Sequence, residues 1–322
     1  MKTKPITLVL LIINSFLFAQ TIEKFSINSG GASVSGAGIE ILYTIGEINV
    51  QERGVETVSI SEGFINAEFR ILIDTKVFLQ GPLVSPDTPT LMNDDLRSGG
   101  YIPTTSPYSD NATCNALVFS VTGNNAIVDW IWLELRSAND NTEIVNARSA
   151  LVQRDGDVVD VDGVSNVIMR AAPTNYYVVV NHRNHLGAMS ASAIGLSDSS
   201  VTTVNFTNNG FSTYGTEAQV QLASNDMALW AGNTNGLNQI RFSGADNSTN
   251  VIKDFILADP ANGFNSVTFT STGYLLIDCN LNGQGKFSGS GNDSNIIKDN
   301  VLVHPGNGFN SPTFTITQTI PE

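Results

Sequence analysis

Asp278, Asn280 and Asn282 alternate immediately before Gly283, with Gln284 next and Asp293 nine residues further on. A hard cation such as calcium takes six to eight oxygens at about 2.3–2.6 Å, and alternating Asp and Asn side chains on a tight turn aim theirs at one point. The loop is therefore a candidate calcium site. Asp278, Asn280 and Asn282 would bind by side chain and Gln284 through its carbonyl, with Asp293 closing the shell where a helix begins. An earlier loop carries a poorer version: Asn233 and Asn235 alternate, and Asp246 is its only nearby carboxylate. There Leu237 replaces the fifth-position oxygen, Asn238 replaces the glycine, and Ser248 stands in the place of Asp293. Calcium is expected at the second loop, and weak binding or none at the first. The competing reading is that both are Asn- and Gly-rich turns, favoured for conformational reasons alone.

The two loops belong to a repeat. A shift of 45 positions carries residues 242–268 onto 287–313 without a gap, matching Phe-Ser-Gly, Ile-Lys-Asp and Asn-Gly-Phe-Asn-Ser. Such regularity means one supersecondary unit used twice, each copy covering the other's apolar face. After each loop, residues 250–256 and 295–302 place their apolar side chains on one helical face, so each unit reads as loop then helix. Asp293 or Ser294 is the expected cap of the second helix. The units span about 230–269 and 275–314 within a segment 223–322.

Ahead of the repeat the composition is rich in Gly, Asn, Ser and Thr, with short alternating apolar runs that point to strands joined by tight turns. Residues 39–48, 56–60, 71–79, 128–135 and 176–180 read as strands. Asp155-Gly156, between apolar runs at 150–153 and 158–161, is a strong hairpin signal. The expected fold is mainly β: a small N-terminal β module (20–70), an antiparallel β-sandwich (71–222), then the two-copy loop–helix repeat.

Other constellations are weaker. His182 and His185, with Asp155, Asp157, Asp160 and Asp162, could suit a transition metal. A spacing of three on a strand would set the imidazoles on opposite faces, however, so hydrogen-bonded structural histidines are expected. Asp160 and Asp162 could mimic a glycosidase's two acids, but no second acid region can be placed opposite them. Trp130, Trp132 and Tyr176 are expected in the core rather than under sugars. Gly-x-Ser-x-Gly, Walker, paired CxxC and HExxH motifs are absent from the sequence, and no enzyme is expected.

Lys2 and Lys4 precede an apolar run at 6–18 and then Ala19-Gln20. This pattern is that of a cleaved export signal, expected at 1–19. The run falls short of the roughly 20 residues needed to span a bilayer, and no membrane span is expected after cleavage. Without the signal, 14 Lys and Arg face 30 Asp and Glu. That excess disfavours nucleic acid and anionic lipid, which reward basic clusters. Cys114 and Cys279 are read as separate thiols.

Several motifs carry resemblances. Residues 278–283 are similar to the start of a dockerin or EF-hand calcium loop, and the pairing resembles dockerin's two repeats; Asn282 departs from the usual Asp, and about three extra residues separate Gly283 from Asp293. Residues 43–47 and 61–64 resemble a short β module of exported proteins in Gram-negative bacteria that use type IX secretion. Residues 128–136, 154–163, 176–186 and 230–232 together resemble hemagglutinin-like exported proteins of the same group. These resemblances imply a secreted or cell-surface adhesion protein whose partner is an extracellular polysaccharide, glycan or surface protein. A dockerin-like assembly module and a polysaccharide-active enzyme are the alternatives.

Overall fold

The computed structural model describes residues 69–322, and before them the backbone of four strands: β1 (Gly31–Gly36), β2 (Ile39–Thr44), β3 (Glu52–Val55) and β4 (Val58–Ser61). β1 pairs antiparallel with β2, and β3 with β4. The chain divides into two compact units, Met1–Glu68 and Phe69–Glu322. The expected export signal and most of the expected N-terminal module lie outside the described residues.

The second unit is mainly β. Its sheet contains β5 (Ile71–Lys76), β6 (Ile127–Ser137), β7 (Ile144–Gln153), β8 (Asp157–Val159), β9 (Val167–Met169), β10 (Asn175–Asn181), β11 (Ala188–Met189), β12 (Ile194–Gly195) and β13 (Thr202–Asn205). Their order is β11-β10-β6-β7-β8-β5-β13, with β12 on β10 and β9 on β5. The pairs are antiparallel except β5–β13, which is parallel and was not anticipated. β5 buries alternate residues, as a strand with one covered face must, whereas β6 is buried along nearly its whole length. The second cover comes from the segment between β5 and β6. Its one-turn helix α1 (Asp95–Ser98) puts Leu96 in the core, Pro103 accepts the Trp130 indole N–H at 2.8 Å, and Tyr108 lies against Trp132. The Asp155-Gly156 turn forms as expected: Gly156 takes φ +90°, which suits glycine, and joins β7 to β8 with Leu151 opposite Val159.

A short hairpin, β14 (Val220–Gln221) and β15 (Met227–Ala228), leads to the repeats. The first copy holds β16 (Gln239–Arg241), α2 (Ser248–Ala258) and β17 (Thr270–Thr272); the second holds β18 (Gln284–Lys286), α3 (Asp293–Val303) and β19 (Thr315–Thr317). β16 pairs with β19, and β17 with β18. Gln239 faces Thr317 just as its repeat equivalent Gln284 faces Thr272, so each copy lends a strand to the other with pseudo-two-fold reciprocity. Ile252, Ile256, Ile297, Val301, Ile240 and Ile316 pack between them. The helix caps are Asn247 and Asn292, whose side chains accept from the N–H groups of Asn250 and Asn295 at 2.8 and 2.9 Å. Asp293 is the first helical residue, and Ser294 the second, rather than the cap.

Residues 223–322 fall in the same compact unit as the sheet. Ala228 and Leu229 belong to the sheet's core, while Leu186 joins Trp230 and Ala231 in the repeat core. Leu281, from the second loop, is buried in the sheet's core.

Candidate functional site

The second loop gathers two carboxylates inside the protein. Asp278 and Asp293 are both fully buried. Asp278 accepts the Asn282 N–H at 3.1 Å and the Gly283 N–H at 2.7 Å, one on each oxygen. Asp293 likewise accepts the Cys279 N–H at 2.7 Å and the Lys286 N–H at 2.8 Å. Asn280 Oδ1 approaches the same Asn282 N–H at 3.2 Å, which brings the oxygens of Asp278 and Asn280 to one point. Asn282 Oδ1 turns to the Gln284 N–H at 2.9 Å, and Gln284 sits in β18 opposite Thr272. Gly283 adopts φ +77°, and a Cβ there would strike the Tyr101 ring.

Electrostatics set this loop apart. Burial pushes the Asp278 carboxyl up to about 7, with Arg183 and the two N–H donors offsetting it in part. Burial, and then the proximity of Asp278, pushes Asp293 up to about 8. Two buried like charges oppose each other's ionisation. A divalent cation reverses that, and each carboxylate oxygen that accepts one N–H keeps a lone pair for coordination. Were a calcium ion to bind here, Asp278, Asn280, Asn282, the Gln284 carbonyl and Asp293 are the residues that would hold it. Among the described residues no group of three or more His, Cys, Asp or Glu gathers as metal ligands, so amides would make up the rest of the shell.

The first loop has the same backbone plan without the charge. Leu237 N–H donates to Asn235 Oδ1 at 3.0 Å, as Asn282 N–H does to Asn280. Ser248 Oγ accepts the Arg241 N–H at 3.2 Å where Asp293 accepts that of Lys286. Asn233, the counterpart of Asp278, is buried, and its Oδ1 makes no hydrogen bond. Asp246 is exposed and offers only its carbonyl, to Asn235 Nδ2 at 3.1 Å. The first loop therefore lacks a buried carboxylate.

Sequence reasoning missed the seat on which the second loop rests. Asp129, at a register shift in β6, is fully buried and accepts from Arg183 Nε at 2.9 Å, His182 Nε2 at 3.1 Å, the Trp130 N–H at 2.7 Å and the Tyr274 hydroxyl at 2.5 Å. Burial alone would raise its pKa; Arg183, His182 and Tyr274 outweigh it and hold the carboxylate well below its ordinary range. The Arg183 guanidinium stacks on the Tyr274 ring, 4.1 Å from its centre, and donates to the Leu275 carbonyl. Asn184 donates to the carbonyls of Leu276 and Asp278 at 3.1 and 2.6 Å, while its own carbonyl accepts from Gly232 and Asn233. One fully buried asparagine thus touches both loops. The only available signal was an acid between hydrophobic residues of a strand.

The two histidines do not lie on opposite faces. They form an edge-to-face pair with Nδ1 atoms 3.0 Å apart, because the chain turns after β10 and strand geometry no longer applies. Gly81 N–H donates to His185 Nε2 at 3.1 Å, so His185 carries its proton on Nδ1 and His182 carries its own on Nε2, facing Asp129. Both are neutral, and burial lowers both pKa values, that of His185 the further. The neighbouring aspartates are engaged elsewhere: Asp157 pairs with Lys76, Asp160 with Arg148, and Asp162 holds the 162–165 turn. Asp160 and Asp162 lie beyond the end of β8 and share no strand face. Trp130 and Tyr176 are buried and Trp132 is partly so. Cys114 and Cys279 are free and buried. No helix among the described residues is long and apolar enough to cross a membrane.

No family model, curated protein or solved structure matches the chain.

Proposed function

We propose that this chain is a secreted or cell-surface binding protein of a Gram-negative bacterium: a non-enzymatic adhesin, hemagglutinin-like, with calcium stabilising its dockerin-like C-terminal repeats. In this reading the covered sheet is the sandwich domain that presents the recognition surface, and its partner is an extracellular polysaccharide, glycan or surface protein. The observation that carries it is the pair Asp278 and Asp293, fully buried in one loop and bound only by backbone N–H groups. Buried charge is kept where it is paired or coordinates a metal. The diversion of Asp160 and Asp162 into an ion pair and a turn supports the non-enzymatic part. Calorimetric titration of the whole chain with calcium is the test. Saturable heat that disappears in Asp278→Ala is expected; no heat at millimolar calcium removes the metal from the reading.

A second reading, a module that docks the chain onto a partner protein, is favoured by one observation. Phe264 and Phe309, equivalent in the two repeats, are each 98% exposed. Their loops are stapled by buried Asn262 and Asn307, each donating to two carbonyls and accepting the N–H of Ser266 or Ser311. Rigid loops that present an aromatic ring have already lost the entropy that binding would otherwise cost. Silence on a glycan array, with cell-surface attachment lost in a Phe264→Ser/Phe309→Ser double variant, moves the assignment to docking.

A further inference from the structure

A cleft of about 570 Å³ lies between the segment after β5 and the second repeat. Its volume is that of a small-molecule site. One wall is Gly81, Val84, Ser85 and Asp95; the other is Asn280, Asn282, Asn295 and the α3 face with Ile296, Asp299 and Val303.

Three amides in this wall have a fixed orientation. Asn280 and Asn282 turn their Oδ1 atoms toward backbone N–H groups, and Asn295 Oδ1 accepts from Lys298 Nζ at 3.2 Å. Their Nδ2 groups make no hydrogen bond to a described residue. Six N–H donors are therefore left for a guest, with Asp95 and Asp299 as acceptors in the same cleft. Groups that both donate and accept, as hydroxyls do, satisfy such a set most fully. Val84 and Val303 are 51% and 68% exposed, Ile296 is nearly covered, and together they offer apolar patches for C–H faces. No Lys or Arg lines the cleft, and Lys298 beside it is already engaged by Asn295 and Asp299, so an anionic guest would find N–H donors but no free counter-charge.

We infer that this cleft binds a neutral saccharide, its hydroxyls held by Asn280, Asn282, Asn295, Asp95 and Asp299 and its C–H faces resting on Val84 and Val303. This rests on the adhesion reading and gives that reading a site. The walls come from different parts of the chain, so the site exists only because the second repeat is docked on the sheet.

The test is an array of neutral oligosaccharides (glucans, mannans, galactans) and uronate oligosaccharides probed with the whole chain, followed by titration of the best binder. Expected is selective binding to a neutral sugar, weakened at least tenfold in Asn295→Ala and abolished in Val84→Trp, which fills the mouth, with unchanged thermal unfolding in both exposed-residue variants. Full affinity in both variants overturns the cleft and leaves the adhesion reading standing on some other surface. Preference for uronates overturns the neutral assignment. Silence on every sugar overturns the cleft and the glycan form of adhesion together.

Discussion

The two repeat loops have nearly the same backbone hydrogen bonds and very different interiors. In both, an Asn side chain accepts the N–H two residues on, a side-chain oxygen at the helix start reaches back to the strand that precedes the helix, and an Asn caps the helix. The first loop does this with Asn235 and Ser248, leaves the buried Asn233 Oδ1 without a hydrogen bond, and exposes its tip residues, Gly236 and Leu237. The second does it with Asn280 and Asp293, adds two N–H bonds to Asp278, and at the position of Gly236 carries Leu281, which holds a left-handed φ of +58° and is buried in the sheet's core. The cost of that conformation, about 1–2 kcal/mol, is comparable with the roughly 1.5–3 kcal/mol gained by burying a leucine. Leu281 therefore locates the loop more than it stabilises it. The fold of the loop does not need the carboxylates, since the first loop forms without them; their presence in the second copy alone is what the calcium proposal accounts for.

The largest effect is expected at the seat of the second loop. Asp129→Asn leaves the buried Arg183 without its counter-charge and should cost about 3–5 kcal/mol, measured by denaturant unfolding. If the variant loses under 1 kcal/mol, the seat does not hold the loop. Leu281→Ala should cost about 2–4 kcal/mol through the void it leaves, and Leu281→Gly about 1–2 kcal/mol less than that, because glycine tolerates the native φ; equal losses would show that φ carries no strain. Calcium at a hundredfold its dissociation constant should add about 2.7 kcal/mol, an increment lost in Asp278→Ala and kept in Asn235→Ala. A loss in the latter would place the ion in the first loop.

The histidine pair gives a smaller, pH-dependent effect. With folded pKa values below 6.5, both imidazoles stay neutral where the unfolded chain begins to protonate. The unfolded state then binds more protons, so the pair's contribution is complete above pH 6.5 and declines as pH falls, by at most about 1.4 kcal/mol per unit for each ring. Asp129, Arg183, Tyr108 and Tyr274 are the titratable and charged groups gathered around the pair and its carboxylate partner. Asp278 and Asp293, with raised values, act in the opposite direction when no cation is bound, so imidazole NMR resonances rather than melting temperature are the readout. Protonation of either ring at or above pH 6.5 would contradict the tautomers assigned from Gly81 and Asp129. The least change is expected for Phe309→Ser, within about 0.5 kcal/mol of the parent by thermal unfolding, since the ring touches almost nothing.

Much of the local structure was legible from spacing. Apolar patterning located β5, β6 and β10, Asp155-Gly156 located the hairpin and with it only the end of β7, and the 45-residue period located both loops and helices to within a few residues. The cap of the second helix was misplaced by one or two residues because Asp, Ser and Asn all serve there and only the backbone angles distinguish them. The histidines are hydrogen-bonded as expected, but their relative facing was misjudged because strand alternation was extended past Asn181, where the strand ends.

What the sequence determined by itself was whatever repeats or alternates: strand periodicity, the duplicated unit and the oxygen-bearing residues of its loops. These follow from short-range geometry, in which neighbours in the chain fix each other's direction. The tertiary structure alone decided that Asp278 and Asp293 are buried, that Leu281 enters the sheet's core, and that Asp129 meets Arg183 and Tyr274 across 54 and 145 positions. Burial and long-range pairing depend on which surfaces exclude water from one another, and no local pattern encodes that.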